Sequence, residues 1–545
     1  MKTSRLLRLR LGLFAAVFAW IATPLAALRA AQTTVEQWGV FEVALKGPSE
    51  GNPFTDVRLT ANFTDGVRMI EATGFYDGNG VYRVRFMPDK PGAWSYETKS
   101  NRWPLADKSG IFTVTPATGK NHGPVRVRNT YHFAYADGTP FKPLGTTMYS
   151  WTHRPKEMEE LTLKTLASAP FNKVRMAVFP QAHGVKFMPV ERFPFQGKAP
   201  RDWDFTRFNP EFFQHLEKRV ADLAALGIEC DLILFHPYDD DEEWGFETMD
   251  AKTDDFYLRY VVARLAAYRN IWWSVGNEYD FLRTKTESDW DRYFQVIQKA
   301  DPHNHLRSIH NGKLIYNHNQ PWVTHVSMQN GMATEEAGRA ELYRDVYRKP
   351  IVYDELKYEG THGLRWAQLS GQEMVHRFWN CTVAGTYGGH SEFFEDERQV
   401  VWLAQGGELK GNSAPGLAFL KKILDEAPAE GLEPHDQWQD PRIAGKSGHY
   451  YLMYFGVEKP TSWAIELYRN GLQDGMQFKI EVIDTAEHTI TPVEGVFTLK
   501  KKDRYSFTDR DGREVKLPGK PYMALRITYA GGTPPLSTAK PPMEP

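Results

Sequence analysis

The spacing of apolar positions changes twice along the chain. From about Thr34 to Thr118 they alternate with polar ones, in Val57-Arg-Leu-Thr-Ala-Asn-Phe, Val81-Tyr-Arg-Val-Arg-Phe, Ala93-Trp-Ser-Tyr-Glu-Thr and Gly110-Ile-Phe-Thr-Val, with turn residues such as Asp77-Gly-Asn-Gly80 between them. Period-two alternation at this spacing predicts a β-sandwich of immunoglobulin type. From about Phe141 to Ala427 short apolar runs alternate with amphipathic helical stretches, the pattern of a parallel sheet with helical crossovers. From about Gln437 to Ala530 the strand pattern returns, in Tyr450-Tyr-Leu-Met-Tyr-Phe, Trp463-Ala-Ile-Glu-Leu, Gln477-Phe-Lys-Ile-Glu-Val and Met523-Ala-Leu-Arg-Ile-Thr. It predicts a second, C-terminal β-sandwich, and the Pro- and Gly-rich close of the chain predicts a disordered tail.

One unit of the middle region shows how its elements are specified. Asn209 can cap a helix, Pro210 suits its first position, and Phe213, Leu216, Val220 and Leu223 recur every three or four residues. Gly227 can end that helix, and Ile228 to Phe235 continues as a buried strand. Similar strands are expected at Pro143 to Met148, Asn172 to Phe179, Asn270 to Val275, Leu306 to Ile309, Val323 to Met328, Ile351 to Asp354 and Val383 to Tyr387. Eight strands alternating with helices predict a (β/α)8 TIM barrel, with its active site at the carboxyl ends of the strands. The first strand is not followed by the glycine-rich phosphate loop of an open doubly wound sheet. The expected order is therefore a signal segment over 1–31, an N-terminal sandwich over 32–119, a barrel over 120–432, a C-terminal sandwich over 433–531 and a tail over 532–545.

Composition narrows the partners. Sixty-six basic side chains against 68 acidic ones give a formal net charge of -2, and no electrostatic reason to expect nucleic acid. Arg5, Arg8 and Arg10, the apolar run Leu11 to Ile21, then Pro24 and small residues up to Ala31 have the order of a secretory signal peptide. Export to the periplasm or beyond is expected, with cleavage between Ala26 and Ala31 and no membrane association afterwards. Cys230 and Cys381 fall on elements that are not neighbours in a barrel, so two buried free thiols are expected. The acidic run Asp239 to Glu243 lacks the spaced ligands and glycine of a calcium loop and reads as a solvated loop. No metal or cofactor is expected, and the oligomeric state is left open.

Candidate chemistry lies where strands end. The second strand carries Arg175, the third ends in Phe235-His236-Pro-Tyr238, the fourth in Ser274-Val-Gly-Asn277-Glu278-Tyr279, and the seventh in Ile351-Val-Tyr-Asp354-Glu355. Glycosidic cleavage needs two carboxyl groups flanking the bond, one as acid and one as nucleophile or base. Glu278 and Glu355 stand where a barrel mouth can bring them together. Trp151, Trp244, His310, Gln329 and His390 follow other strands and are candidate sugar contacts, with Tyr238. Asp354 and Glu392 remain alternatives to Glu355.

Trp273-Ser-Val-Gly-Asn277-Glu278 resembles the Asn-Glu motif that closes the fourth strand of clan A glycoside hydrolases, and Pro350-Ile-Val-Tyr-Asp-Glu355 looks like their seventh strand, which ends in the nucleophile. The order sandwich, barrel, sandwich also resembles the apiosidase-like barrel proteins with their flanking domains of unknown function. The resemblance implies a retaining glycosidase with Glu278 as acid/base and Glu355 as nucleophile. It implies Arg175 and His236 as companions of the site, Asn277 as the partner of the sugar 2-hydroxyl, and an oligo- or polysaccharide as substrate. Two other readings fit the same residues: a non-catalytic glycan-binding protein on a degenerate barrel, and a transglycosylase. No Gly-x-Ser-x-Gly elbow, His-Glu-x-x-His motif or Walker loop points elsewhere.

Overall fold

The computed structural model describes residues 33–181, 190–238, 244–395, 400–436 and 440–536. The signal segment, the acidic run Asp239 to Glu243 and the tail beyond 536 lie outside the described residues. Among the described residues no helix is long and apolar enough to cross a membrane.

The centre of the chain is a parallel sheet of eight strands. They are β1 (Leu144–Thr147), β2 (Lys173–Ala177), β3 (Glu229–Ile233), β4 (Ile271–Ser274), β5 (Arg307–Ser308), β6 (Val326–Gln329), β7 (Ile351–Glu355) and β8 (Tyr387–His390). Pairing runs β5-β4-β3-β2-β1-β8-β7-β6, so β5 and β6 are the ends of the ladder. Thr324 closes the seam between them: its N–H donates to Arg307 O at 3.0 Å, and Arg307 N–H donates to Thr324 Oγ1 at 2.7 Å. Along β2, period-two alternation sends Lys173 and Arg175 inward, and Val174 and Met176 join the apolar layer under the helices.

The helix Pro210–Leu226 forms as its sequence predicts. Asn209 Oδ1 accepts the Glu211 N–H at 3.2 Å, and Gly227 turns the chain at φ 79°. The eighth strand does not match its expected position. Val383 closes the helix Gly371–Val383, Gly385 turns at φ 63°, and the strand is Tyr-Gly-Gly-His, four residues later than the apolar run. The apolar residues serve the buried face of the helix, and the strand's glycines carry no hydrophobic signal. Gly389 is needed there, because a Cβ would lie 2.5 Å from the backbone oxygen of Asp354. Both cysteines are buried free thiols, Cys230 on β3 and Cys381 in the helix before β8.

The flanking regions are built from sheets. The N-terminal one packs a five-stranded sheet on a three-stranded one around Phe41, Phe63, Phe86, Trp94 and Phe112. The C-terminal one is a nine-stranded antiparallel sheet, whose Tyr454 stacks on Trp379 beneath the barrel helix at 5.2 Å. A buried ionic network joins the N-terminal sheets to the barrel. Arg85 donates to Glu42 at 2.9 Å and to Glu217 at 3.0 Å, while Arg264 donates to Asp77 at 2.8 Å and to Glu217, with its guanidinium 4.5 Å from the Phe75 ring. Arg264→Met strips Asp77 and Glu217 of a shared counter-charge away from water. It should cost about 3–5 kcal/mol and bring denaturant unfolding to lower concentration. An unchanged midpoint would show that the network does not brace the barrel.

Candidate active site

Glu278 stands four residues past β4 in a left-handed backbone, φ 42° and ψ 50°. That conformation costs a non-glycine residue about 1–3 kcal/mol and persists where its surroundings impose it. Here the Asn277 N–H donates to Phe235 O at 2.9 Å and the Tyr279 N–H to His310 O at 3.0 Å, so the turn is pinned to chain ends beyond β3 and β5. The carboxyl is aimed by Gln329, whose Nε2 donates to Glu278 Oε1 at 2.7 Å and to Gly312 O at 3.1 Å. Burial, and then the charge of Glu355, push the Glu278 carboxyl up to about 8, against the bond from Gln329 and the charge of Arg175.

Glu355 is the last residue of β7 and shows the opposite behaviour. Arg175 Nη1 donates to its Oε1 at 3.0 Å, the Tyr149 hydroxyl donates to the same oxygen, and Tyr358 adds a second phenol. Burial alone would raise this carboxyl, but His310, Arg175 and the two phenols outweigh it and hold it below the ordinary glutamate value. His310 Nε2 lies 3.5 Å from Glu355 Oε1 and has no hydrogen-bond partner. Burial, and then the charge of Arg175, bring His310 down to about 4, so near neutral pH the Glu355 charge rests on Arg175 and the phenols. The same arginine uses Nη2 on Asn277 Oδ1, which leaves Asn277 Nδ2 buried without a partner.

The two alternative carboxylates are engaged elsewhere. Asp354 Oδ1 takes the Lys173 ammonium at 2.7 Å and Oδ2 takes the Ser327 hydroxyl at 2.5 Å, within a layer completed by Asp231 at 2.6 Å from Lys173. Glu392 accepts the backbone N–H groups of Lys410 and Gly411 at 2.5 and 2.8 Å.

The structure thus gathers Glu278, Glu355, Arg175, Asn277, His310 and Gln329 into one network. His236 and Tyr238 lie past the end of β3. The His236 ring is taken up by backbone, with Nε2 3.2 Å from Phe179 O and Nδ1 accepting the Tyr238 N–H at 3.1 Å. Trp244 packs against Phe193 at 4.9 Å and its carbonyl accepts from Trp203. These three stand outside the network, and so do two further candidates. Trp151 is fully buried with Nε1 3.1 Å from Met176 Sδ, on the outward side of β2. His390 is the last residue of β8 rather than a residue beyond it, and its ring stacks on Phe171 at 4.7 Å. The shift of β8 explains its placement. Tyr149, Tyr358 and Ser327 join the site without standing in any motif that would mark them in the sequence.

Two buried carboxyls at the ends of β4 and β7, held in opposite ionisation states, define the class: a TIM-barrel protein with a paired-carboxyl site. Residues 127–429 match the model of the apiosidase-like catalytic domain, and the chain belongs to that family. Residues 34–101 and 438–528 match two domains of unknown function, DUF5060 and DUF5605. The chain is 40% identical, with a TM-score of 0.89, to a provisionally named glycoside hydrolase from Bacteroides vulgatus, over 92% of this chain and 100% of that one. It shares its fold with a family 5 glycoside hydrolase from the same organism, at 17% identity and a TM-score of 0.52, over 75% of this chain and 93% of that one. No curated protein matches it.

Each hydrogen bond to the pair has a direction that can be measured. Gln329→Ala removes a donor that favours the charged form, so Glu278 should titrate about 1–2 pH units higher. Tyr149→Phe should raise Glu355 by a similar amount. Carboxyl-labelled NMR titration reads both; a Glu278 that titrates unchanged in Gln329→Ala would show that the amide does not control it.

Proposed function

We propose that this protein is a retaining glycoside hydrolase that cleaves an oligo- or polysaccharide by double displacement. The observation that carries the reading is the opposed ionisation of Glu278 and Glu355 at the ends of β4 and β7. Glu355, charged, attacks the anomeric carbon, and Glu278, protonated, delivers its proton to the departing oxygen. Water then enters, loses its proton to Glu278 and releases the sugar from Glu355. The unpartnered Nδ2 of Asn277 supports its role as donor to the sugar 2-hydroxyl. The family description makes apiosyl linkages the first to screen, and the N-terminal sequence pattern supports export to where such glycans occur.

The experiment is a glycan and aryl-glycoside screen of the protein beside Glu278→Ala and Glu355→Ala. Loss of the general acid should lower kcat/KM by about 10²–10⁴ on a natural linkage, and far less on a dinitrophenyl glycoside whose leaving group needs no proton. Glu355→Ala should lose activity on both. Proton NMR of the first product should show the anomeric configuration of the substrate; inverted product would rule out Glu355 as nucleophile. The pH profile of kcat/KM should fall on the alkaline side near about 8, where Glu278 loses its proton, and on the acid side as Glu355 gains one. Full activity in both variants would remove the site from these residues, and tight binding without turnover would make the protein a glycan binder.

A further inference from the structure

A second pair of glutamates is buried on the outer side of the barrel, behind β8 and away from Glu278 and Glu355. Glu359–Gly360 pairs in parallel with Glu392–Phe393, which places Glu359 directly beside Glu392. One oxygen of each carboxyl and one ring nitrogen of His390 lie within 4.8 Å of one another, and all three side chains are buried. We propose that Glu359, His390 and Glu392 bind one divalent transition-metal ion, with Zn²⁺ or Mn²⁺ as the favoured species. No motif in the sequence predicts a metal, and nothing in the sugar chemistry requires one at this place.

Three observations point to a ligand. First, His390 Nδ1 is engaged 3.0 Å from Thr146 Oγ1, an oxygen that also accepts the Trp402 indole N–H at 2.9 Å. In the tautomer whose Nδ1–H donates to Thr146, the lone pair stands on Nε2, the arrangement in which a metal-bound imidazole is fixed by its other nitrogen. Nε2 is buried and has no hydrogen-bond partner, while the stack on Phe171 fixes the ring plane. Second, Ser413 Oγ is also buried without a partner. The backbone N–H of the same residue lies 3.2 Å from Glu359 Oε2. Third, neither carboxylate is in contact with a lysine or arginine side chain among the described residues; the Lys410 ammonium, held on the carbonyls of Phe394 and Val400, acts on Glu392 through its charge alone. Two adjacent buried carboxylates with no cation in contact are costly, and a divalent ion would neutralise both.

The remaining lone pairs are arranged to hold such a site rigid. The four carboxylate oxygens accept four successive backbone N–H groups: Lys410 and Gly411 on Glu392 at 2.5 and 2.8 Å, Asn412 and Ser413 on Glu359 at 2.5 and 3.2 Å. Each oxygen keeps a second lone pair. One imidazole with two carboxylates suits Zn²⁺ or Mn²⁺ better than Ca²⁺, which prefers six to eight oxygens. The segment tied down in this way also carries Leu403 and Ala404, whose carbonyls accept the N–H groups of Tyr149 and Ser150 at 2.9 and 2.8 Å. The ion is thus assigned a structural task beneath Tyr149, with no part in bond cleavage.

The test is the metal content of the untagged protein purified without chelator, followed by EDTA treatment and titration with Zn²⁺, Mn²⁺, Co²⁺ and Ca²⁺. The expected result is one equivalent of Zn²⁺ or Mn²⁺ per chain and a melting temperature about 5 °C higher at saturation. Co²⁺ should give a visible d–d band, and His390→Gln should lose both the band and the thermal shift. A wild type that retains no metal and gives neither band nor shift overturns the proposal, whether or not His390→Gln folds. Equal binding by a folded His390→Gln, or a response to Ca²⁺ alone, overturns it as well. These readouts need no substrate, so their outcome is independent of the glycosidase reading.

Discussion

The structure depends on one buried guanidinium. Two carboxyl groups in one dry cup cannot both be charged and cannot both be neutral if one is to attack and the other to protonate. Arg175 breaks the tie: its Nη1 holds Glu355 charged, and its Nη2 holds Asn277, the neighbour of Glu278 in sequence. Glu278 then meets burial and the charge of Glu355 with only an amide donor on its oxygen. The asymmetry is in the partners, because both carboxyls are glutamates with similar burial.

Holding an arginine in the barrel interior has consequences further down. Lys173, two residues earlier on β2, faces the same interior and is matched by Asp231 and Asp354. Charges of both signs therefore fill the layer below the cup, and Asp354 is committed to it although it adjoins Glu355. Ser327 extends this layer upward, donating to Asp354 Oδ2 and bonding His310 Nδ1 at 3.0 Å. With the Ser327 proton on Asp354, the Nδ1 proton of His310 goes to the serine oxygen. That fixes the tautomer and orients Nε2 toward Glu355.

Much of this was readable from the chain, and the limits have physical causes. The barrel follows from eight apolar runs between amphipathic helices, and the cup follows from residues in motifs at the ends of β4 and β7. Arg175 was visible because an arginine inside an apolar run has to meet an acid. The eighth strand is not, since Tyr-Gly-Gly-His offers close packing instead of hydrophobicity, and with the strand four residues later His390 belongs to it and stacks on Phe171. Trp151 looked like a platform because an aromatic after a strand and an aromatic under a helix share the same one-dimensional pattern. Tyr149 and Tyr358 act through phenols from beyond β1 and from beyond β7, a convergence that exists only once the barrel closes.

The two glutamate pairs differ in a way that bears on what each can do. Glu278 and Glu355 come from strands separated in the ladder and meet different partners, so a proton has a strong preference for one of them. Glu359 and Glu392 face each other across a parallel bridge, and each takes two backbone N–H groups from one continuous turn. An acid–base pair needs the proton placed on one member, whereas a shared cation needs access to both carboxylates and a fixed third donor. His390, oriented by Thr146 and by Phe171, is placed to be that donor. The barrel thus uses the same side chain for two kinds of chemistry, and the partners around each pair separate them.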